Sequence, residues 1–322
     1  MPGMTVPQQT TRLAAMAYGG PEVLQTETVA LPAPGPGETL VEVRAAGVNP
    51  IDWKLYSGMM GAEPARLPLP VGLEASGVVV AVGPDATGAA GPLQAGDEVL
   101  GYPLSGAAAG HVIAPASSLV PKPSGLSFEE AGGLLLTGAT AIHTLEAAAV
   151  GDGDTLLLHG GSGGVGLIAI QAAIARGAHV VATASEARHD AIRALGATPI
   201  AYGDGLLERA TAAAPDGFDA AIDAAGTVEA LAVSLELVPD RGRIATILPR
   251  DETREAGIKM LGGGPGADPG TEIRNAARLQ LTELVERGLL SVPTTARPLS
   301  EAADAHRDSM TGHAYGKVVL VP

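Results

Sequence analysis

The stretch TLLLHGGSGGVGLIAIQAA, residues 155–173, restricts the possible folds of this chain more than any other. A leucine-rich run leads into Gly161, Gly163 and Gly166, spaced G-x-G-x-x-G, and then into an apolar segment free of Gly and Pro. A strand that turns on such glycines and restarts as a helix opens a βαβ unit. The first glycine allows the tight turn, the second lets the backbone approach a pyrophosphate, and the third lets helix and strand pack closely. N–H groups in the first helical turn lack intrahelical acceptors and favour an anion there. Glycine runs also fill ordinary loops, but the following strand, HVVATAS at 179–185, supports the βαβ reading. Gly161, Gly163 and Gly166, with Ser162 between them, are therefore candidate dinucleotide contacts.

Strand-like and helix-like segments keep alternating after the turn: ARHDAIRALG, PIAYG, LLERATAAA, FDAAIDAAG, VEALAVSLELV and GRIATIL. Strands joined by helices predict an α/β fold, a doubly wound parallel sheet with helices on both faces. Just upstream, 128–150 has helical spacing and follows Ser127 with Glu130 three residues on, the pattern of a capping box. Residues 126–265 are assigned to this dinucleotide-binding domain.

The rest of the chain has a different texture. Residues 1–10 have the composition of a polar tail, and from Arg12 to Gly125 the segments are short and β-like, including 39–48, 76–83 and 97–102. Turn clusters such as PAPGPGE, 32–38, separate them. Beyond LGGGPGADPG, 261–270, read as a Gly/Pro linker, come an amphipathic helix at 272–288 and a β-like end, GKVVLVP, at 316–322. That end most economically rejoins the first domain, so residues 1–125 and 266–322 are expected to form one mostly β domain.

The end of the second strand of a βαβ unit chooses between cofactors. An acidic residue there holds the ribose 2′-hydroxyl of NAD. This chain has Thr183, Ala184 and Ser185, with Arg188 close behind, and a hydroxyl plus a guanidinium suit a 2′-phosphate. Glu186 counts against this, and Ser185 and Arg188 have the alternative of capping and opening the next helix. NADPH is the expected cofactor.

Composition narrows the function further. With 322 residues, 46% of them hydrophobic, the chain can bury two cores, built mainly from small aliphatic side chains because aromatics are only 2%. Lys plus Arg number 20 against 35 Asp plus Glu, a formal charge of 20 − 35 = −15. Such a surface repels nucleic acid and anionic lipid. Cys is absent, which removes disulfides, thiolate nucleophiles and thiolate zinc sites. The first residues lack the apolar run of a signal peptide, and no uninterrupted apolar stretch reaches ~18 residues, so a cytoplasmic protein is expected.

Seven segments taken together resemble the medium-chain dehydrogenase/reductase superfamily on its zinc-free quinone oxidoreductase branch, the zeta-crystallin-like group. They are GGPEVL (19–24), AAGVNPIDWKLYSG (45–58), PVGLEASGVVVAVG (70–83), GDEVLGY (96–102), HGGSGGVG (159–166), ALGAT (194–198) and GHAYGKVVLVP (312–322). The resemblance implies a GroES-like β domain split around a Rossmann domain, and a homodimer. It also implies cofactor contacts at Thr140, Gly164, Val165, Ser185, Arg188, Tyr202, Ala225 and Leu248, with Tyr202 beside the 2′-phosphate. Thr140 has the alternative of an ordinary helix residue, and Leu248 of core.

Zinc-dependent relatives carry Cys where this chain has Asn49, and His where it has Leu73, before Glu74. A zinc site needs three protein ligands and an open position, so the resemblance implies zinc-independent chemistry. Without a Lewis acid the expected acceptors are electrophiles that take hydride readily, a quinone or an α,β-unsaturated carbonyl. Asn49 is placed by the resemblance against nicotinamide or substrate; its alternative is a turn residue before Pro50. Tyr56 is a candidate proton donor or a half-buried packing tyrosine, and water is the other proton source.

Departures from the relatives are Ala109-Gly110-His111 in place of Ala-Glu-Tyr, and Tyr315 in place of Arg. His111, His143 and His159 each stand alone in apolar sequence and are expected to be core or surface residues rather than acid–base groups. Trp53 can stack on a flat acceptor or pack, and Met59 and Met60 can rim a pocket or belong to a loop. The leading expectation is an NADPH-dependent quinone or enone oxidoreductase. The alternatives are an enoyl-thioester reductase and a catalytically silent NADPH-binding protein.

Overall fold

A computed structural model of the chain describes residues 6–311 and 316–322. Tyr315 lies outside the described residues. Contacts divide the chain into two compact units, Met1–Leu136 with Leu281–Glu286 and Val292–Pro322, and Thr137–Gln280 with Arg287–Ser291.

The first unit is built from strands. β1 (Gln9–Ala15) pairs antiparallel with β2 (Leu24–Ala30), from Gln9 opposite Ala30 to Ala15 opposite Leu24. β3 (Glu38–Gly47) is followed by the short helix α1 (Pro50–Tyr56), whose N-cap is Asn49 and whose first position is proline, where a missing N–H costs nothing. Then come β4 (Leu69–Pro70), β5 (Ala75–Val82), β6 (Thr87–Gly88), β7 (Gly91–Pro92), β8 (Glu98–Gly101), β9 (His111–Pro115) and β10 (Leu119–Pro121). β4 extends the β2–β1 pair, and β6 pairs with β7. The expected strands at 39–48, 76–83 and 97–102 are β3, β5 and β8. The polar tail is shorter than its composition suggested. Thr10 is buried within β1, and its Oγ1 accepts a hydrogen bond from the His111 backbone N–H at 2.9 Å.

The expected single helix at 128–150 is two helices, α2 (Phe128–Gly132) and α3 (Leu135–Ala147). Ser127 and Glu130 do form the capping box, with the Ser127 hydroxyl accepting from Glu130 N–H at 3.2 Å and the Glu130 carboxylate accepting from Ser127 N–H at 2.8 Å. The break at Gly132–Gly133 follows from packing. A Cβ on Gly132 would lie 2.7 Å from the Ala45 carbonyl oxygen on β3, and one on Gly133 only 2.4 Å from Lys317 Cγ. α2 is fastened to the first unit by the Ser76 hydroxyl, which donates to the Phe128 carbonyl. By contacts, α2 belongs with the first unit, whose first stretch runs to Leu136.

The second unit follows the alternating pattern. β11 (Thr155–His159), α4 (Gly164–Ala175), β12 (His179–Thr183), α5 (His189–Ala194), β13 (Thr198–Ile200), α6 (Leu206–Ala213), β14 (Ala220–Asp223), α7 (Val228–Leu237), β15 (Ile244–Thr246), α8 (Asp251–Glu255) and β16 (Lys259–Met260) come in order. The six-stranded sheet is parallel throughout, ordered β13-β12-β11-β14-β15-β16. Leu157, Val181, Ala221 and Ile244 from four neighbouring strands share one core with Leu206, Phe218 and Val233. α4 is buried continuously from Gly166 to Ala173, so its lack of an apolar stripe is that of a helix enclosed on all sides.

α9 (Thr271–Glu286), β17 (Thr294–Pro298), α10 (Ala302–Thr311) and β18 (Lys317–Val321) complete the chain. β18 rejoins the first unit in a seven-stranded sheet with path β10-β8-β5-β3-β18-β17, β9 also pairing with β3. The 261–270 segment is no free linker. Leu261 bridges to Asp268, Gly262 N–H donates to the Asp268 carbonyl at 2.8 Å, and His143 on α3 lies 3.3 Å from the Asp268 carboxylate. These bonds hold the 261–270 segment within the second unit, whose main stretch runs to Gln280. Among the described residues no helix is long and apolar enough to cross a membrane.

Candidate functional site

Within the second unit the strand order reverses between β11 and β14, and ligands of such sheets sit outside the carboxyl ends of the strands at that point. The glycine turn lies there. Gly160 donates its N–H to Thr183 Oγ1 at 3.0 Å, and Gly161 donates to the Thr183 carbonyl at 2.9 Å, tying the turn to the end of β12. A Cβ on Gly161 would lie 2.8 Å from Ala182 Cβ, and one on Gly166 only 2.2 Å from the Gly160 carbonyl oxygen. The first and third glycines are thus required by packing. Gly163 is different, because the nearest atom to its Cβ would be 3.6 Å away. Ser162, Gly163, Gly164 and Val165 keep part of their surface while Gly161 and Gly166 are buried. Gly163 caps α4 without a side-chain bond, so the first-turn N–H groups point out of the helix end. This cradle fits a pyrophosphate.

The neighbouring turn is held by Asp223, the last residue of β14. Its carboxylate accepts from Ala225 N–H at 2.9 Å, Gly226 N–H at 2.7 Å and the Thr246 hydroxyl at 3.1 Å. A Cβ on Gly226 would sit 2.6 Å from Leu248 Cδ1, so Ala225 and Leu248 come to the same sheet end. Ser185 and Arg188 follow β12 and are half-buried; Tyr202 follows β13 and is 59% exposed. Ala184 N–H donates to the Ile200 carbonyl at 3.0 Å, joining the two strand ends that carry them. Ser185 stands at the N-cap of the short 3-10 turn Glu186–Arg188, as its capping alternative has it, but makes no side-chain cap bond. Glu186 is exposed. Thr140 is buried on α3, one turn before His143.

Sequence reasoning missed two supports of this site. Arg209 donates to the carbonyls of Ala201 at 2.9 Å, Gly203 at 2.8 Å and Asp204 at 2.8 Å, wrapping the turn that presents Tyr202. Thr183 anchors the glycine turn. A mid-helix arginine carries no local signal for the first. The second was legible as a hydroxyl at the end of a buried strand.

The two residues assigned to catalysis lie in the first unit, and both turn inward. Tyr56 is 1% exposed, its hydroxyl lies 3.0 Å from His306 Nδ1 on α10, and burial raises its pKa. Asn49 is fully buried: its amide nitrogen donates to the Gly47 carbonyl at 3.2 Å and to Glu74 Oε1 at 3.0 Å, and its oxygen accepts from Lys317 Nζ. Glu74 Oε1 also lies 2.8 Å from Lys317 Nζ, while Oε2 accepts from Leu136 N–H at 2.8 Å. Asp52 accepts from Asn49 N–H at 2.8 Å, and desolvation lifts its pKa from 3.8 to about 7, against bonds from Asn49 and Gly72 that lower it. Lys317 was legible in principle: a lysine opening a strand otherwise made of Val and Leu needs an acid, and Glu74 is an acid in an equally apolar stretch.

The histidines are partnered. His143 Nε2 faces Asp268 at 3.3 Å and its Nδ1 accepts from Arg274 Nε at 3.4 Å, while His159 Nε2 is 3.1 Å from the Ser234 hydroxyl. His111 is half-buried at the start of β9. Trp53 packs half-buried against the first unit's core, its indole N–H without a partner among the described residues. Met59 and Met60 are exposed.

Zinc does not fit. Beside Glu74 stand an amide, the apolar Leu73 and an ammonium, and among the described residues no three His, Asp or Glu side chains gather as metal donors.

Two family descriptions match the chain: an alcohol dehydrogenase GroES-like domain over residues 35–124 and a zinc-binding dehydrogenase over residues 195–320. The chain is 31% identical to the quinone oxidoreductase of Mus musculus, covering 94% of this chain and 95% of that protein. It is 35% identical to the spectinabilin polyketide synthase system protein NorB of Streptomyces orinoci over 88% of this chain, but spans only 13% of that much longer protein. A mycobacterial protein solved in complex with NADPH superposes with a TM-score of 0.83 at 30% identity, covering 97% of this chain and all of that one, 100%. With its GroES-like unit, its Rossmann sheet and these relatives, the chain belongs to the medium-chain dehydrogenase/reductase family, an oxidoreductase family that binds pyridine nucleotides, on the quinone oxidoreductase branch.

Proposed function

We propose that this chain is an NADPH-dependent, zinc-independent oxidoreductase whose acceptor is a quinone or an α,β-unsaturated carbonyl. One observation carries the reading: β12, tied to an open glycine turn, ends on the hydroxyl of Thr183 rather than a carboxylate, and of the residues that follow it Ser185 and Arg188 are half-buried while Glu186 is exposed. Gly163, Gly164 and Val165 would hold the pyrophosphate through backbone N–H groups. Ser185, Arg188 and Tyr202 would hold the 2′-phosphate, and Ala225 and Leu248 would border the same sheet end.

The bound cofactor supplies a hydride. What this chain would add is position and electrostatics: the α4 end would neutralise part of the pyrophosphate charge, and Asp223 fixes the turn at Ala225 and Gly226 through their backbone N–H groups. Protonation of the reduced acceptor falls to water. The Tyr56 hydroxyl is engaged with His306 and its proton is held more tightly than in a free phenol.

The test is a fluorescence titration with NADPH and NADH, followed by addition of 1,4-benzoquinone or a simple enone. The expected outcome is tighter binding of NADPH, its oxidation on adding acceptor, and turnover retained in Tyr56→Phe. Binding without oxidation by any acceptor would leave a silent dinucleotide-binding protein, and equal affinity for NADH would remove the 2′-phosphate assignment.

A further inference from the structure

In the first unit, Asn49, Glu74 and Lys317 form one buried cluster that the hydride reading does not use. The ammonium comes from the first residue of β18, the amide from the N-cap of α1, and the carboxylate from the residue before β5, so three separate chain segments meet on one charge pair. Each is at most 4% exposed. The fit is built around them. A Cβ on Gly47 would lie 2.4 Å from Glu74 Oε1, and one on Gly133 would lie 2.4 Å from Lys317 Cγ. Asn49 and Glu74 lie in the stretch that matches the GroES-like description and Lys317 in the stretch that matches the zinc-binding dehydrogenase description, and where the three meet a cation is already present, attached to the backbone.

We infer that Lys317 is a built-in cation: its ammonium supplies the positive charge that Glu74 and Asn49 need in a cluster too poor in donors to hold zinc, and removing the ammonium opens a site for an added small monovalent cation. A buried carboxylate left without its partner is strongly destabilising, whereas removing both charges together is tolerated far better. Glu74 would then seek a replacement of the same sign and size, and the void left by the lysine stem gives a small amine room to enter.

The experiment uses thermal unfolding of the full chain and metal content after gel filtration. Wild type, Lys317→Ala, Glu74→Gln and the double variant Glu74→Gln/Lys317→Ala are each compared with and without methylammonium chloride or zinc, with tetramethylammonium as the control for ionic strength. Lys317→Ala is expected to melt roughly 5–15 °C below wild type, and the double variant to recover much of that loss. Methylammonium should raise the melting point of Lys317→Ala alone, whereas zinc, which finds too few donors in the cluster, should not. If Lys317→Ala is insoluble, a soluble double variant supports the inference and an insoluble one overturns it. It is also overturned if Lys317→Ala melts with wild type, if methylammonium does not shift it, or if wild type retains one zinc that is lost in Glu74→Gln.

Discussion

Asp52 and Glu74, both buried in the first unit, meet the cost of burying a carboxylate in opposite ways. Glu74 stays beside an ammonium 2.8 Å away. Asp52 faces mainly desolvation, and its pKa of about 7 means that it keeps a proton through most of the acid range. Its folded value lies above the unfolded one, so the native state binds the extra proton, and stability falls as pH rises from about 4 through about 7. A shift of about three units corresponds to roughly 4 kcal/mol. His159 and His306 act in the other direction. Burial lowers each to about 4, so their contribution is complete above 6.5 and is lost as pH falls toward 4. Two such histidines outweigh one aspartate below 6.5, which places maximum stability near that value. Denaturant titrations across pH should show the maximum, and Asp52→Asn should flatten the alkaline limb while leaving the acid limb. A decline above pH 6.5 that persists in Asp52→Asn would show that another group is responsible. At this scale the sequence was a partial guide. Gly161, Gly163 and Gly166 could be read because backbone geometry demands glycine locally, whereas the inward turn of Asn49 and Tyr56 depends on Lys317 and His306, some 250 residues away, and no local pattern reports such partners.

Among the elements, the glycine turn separates space needed for folding from space left for a ligand. Gly166→Ala forces a methyl onto the Gly160 carbonyl, and its expected result is a loss of stability measurable without any ligand. Gly163→Ala meets nothing nearer than 3.6 Å, and its φ of −78° suits any residue. It should therefore melt close to wild type and yet bind NADPH more weakly, because the added methyl stands where the backbone must approach the pyrophosphate. Calorimetry on both variants checks this, and a Gly163→Ala protein with unchanged affinity would move the anion elsewhere. The long buried strands and amphipathic helices were readable from their periodicity. Two features were not. The break between α2 and α3 is made by close packing against β3 and Lys317, and the folding of the 261–270 segment depends on a histidine on α3.

For the whole molecule, the order of the chain, with β segments, then an alternating α/β stretch, then a return strand, was legible because composition and period change along it. The limits of the two units were not, since they follow contacts such as Ser76 with Phe128 and His143 with Asp268. The chain has 1 tryptophan, Trp53 on α1, packed half-buried against the core of the first unit. Indole emission is therefore a reporter of that unit alone, whereas far-ultraviolet circular dichroism, with α4, α6 and α7 all in the second unit, weights the other. Recorded on one sample through a urea gradient, the two signals are expected to share a midpoint if the units unfold cooperatively and to separate if they do not. The scarcity of aromatic side chains thus gives this chain an optical label at a single known position, with no dye or substitution required.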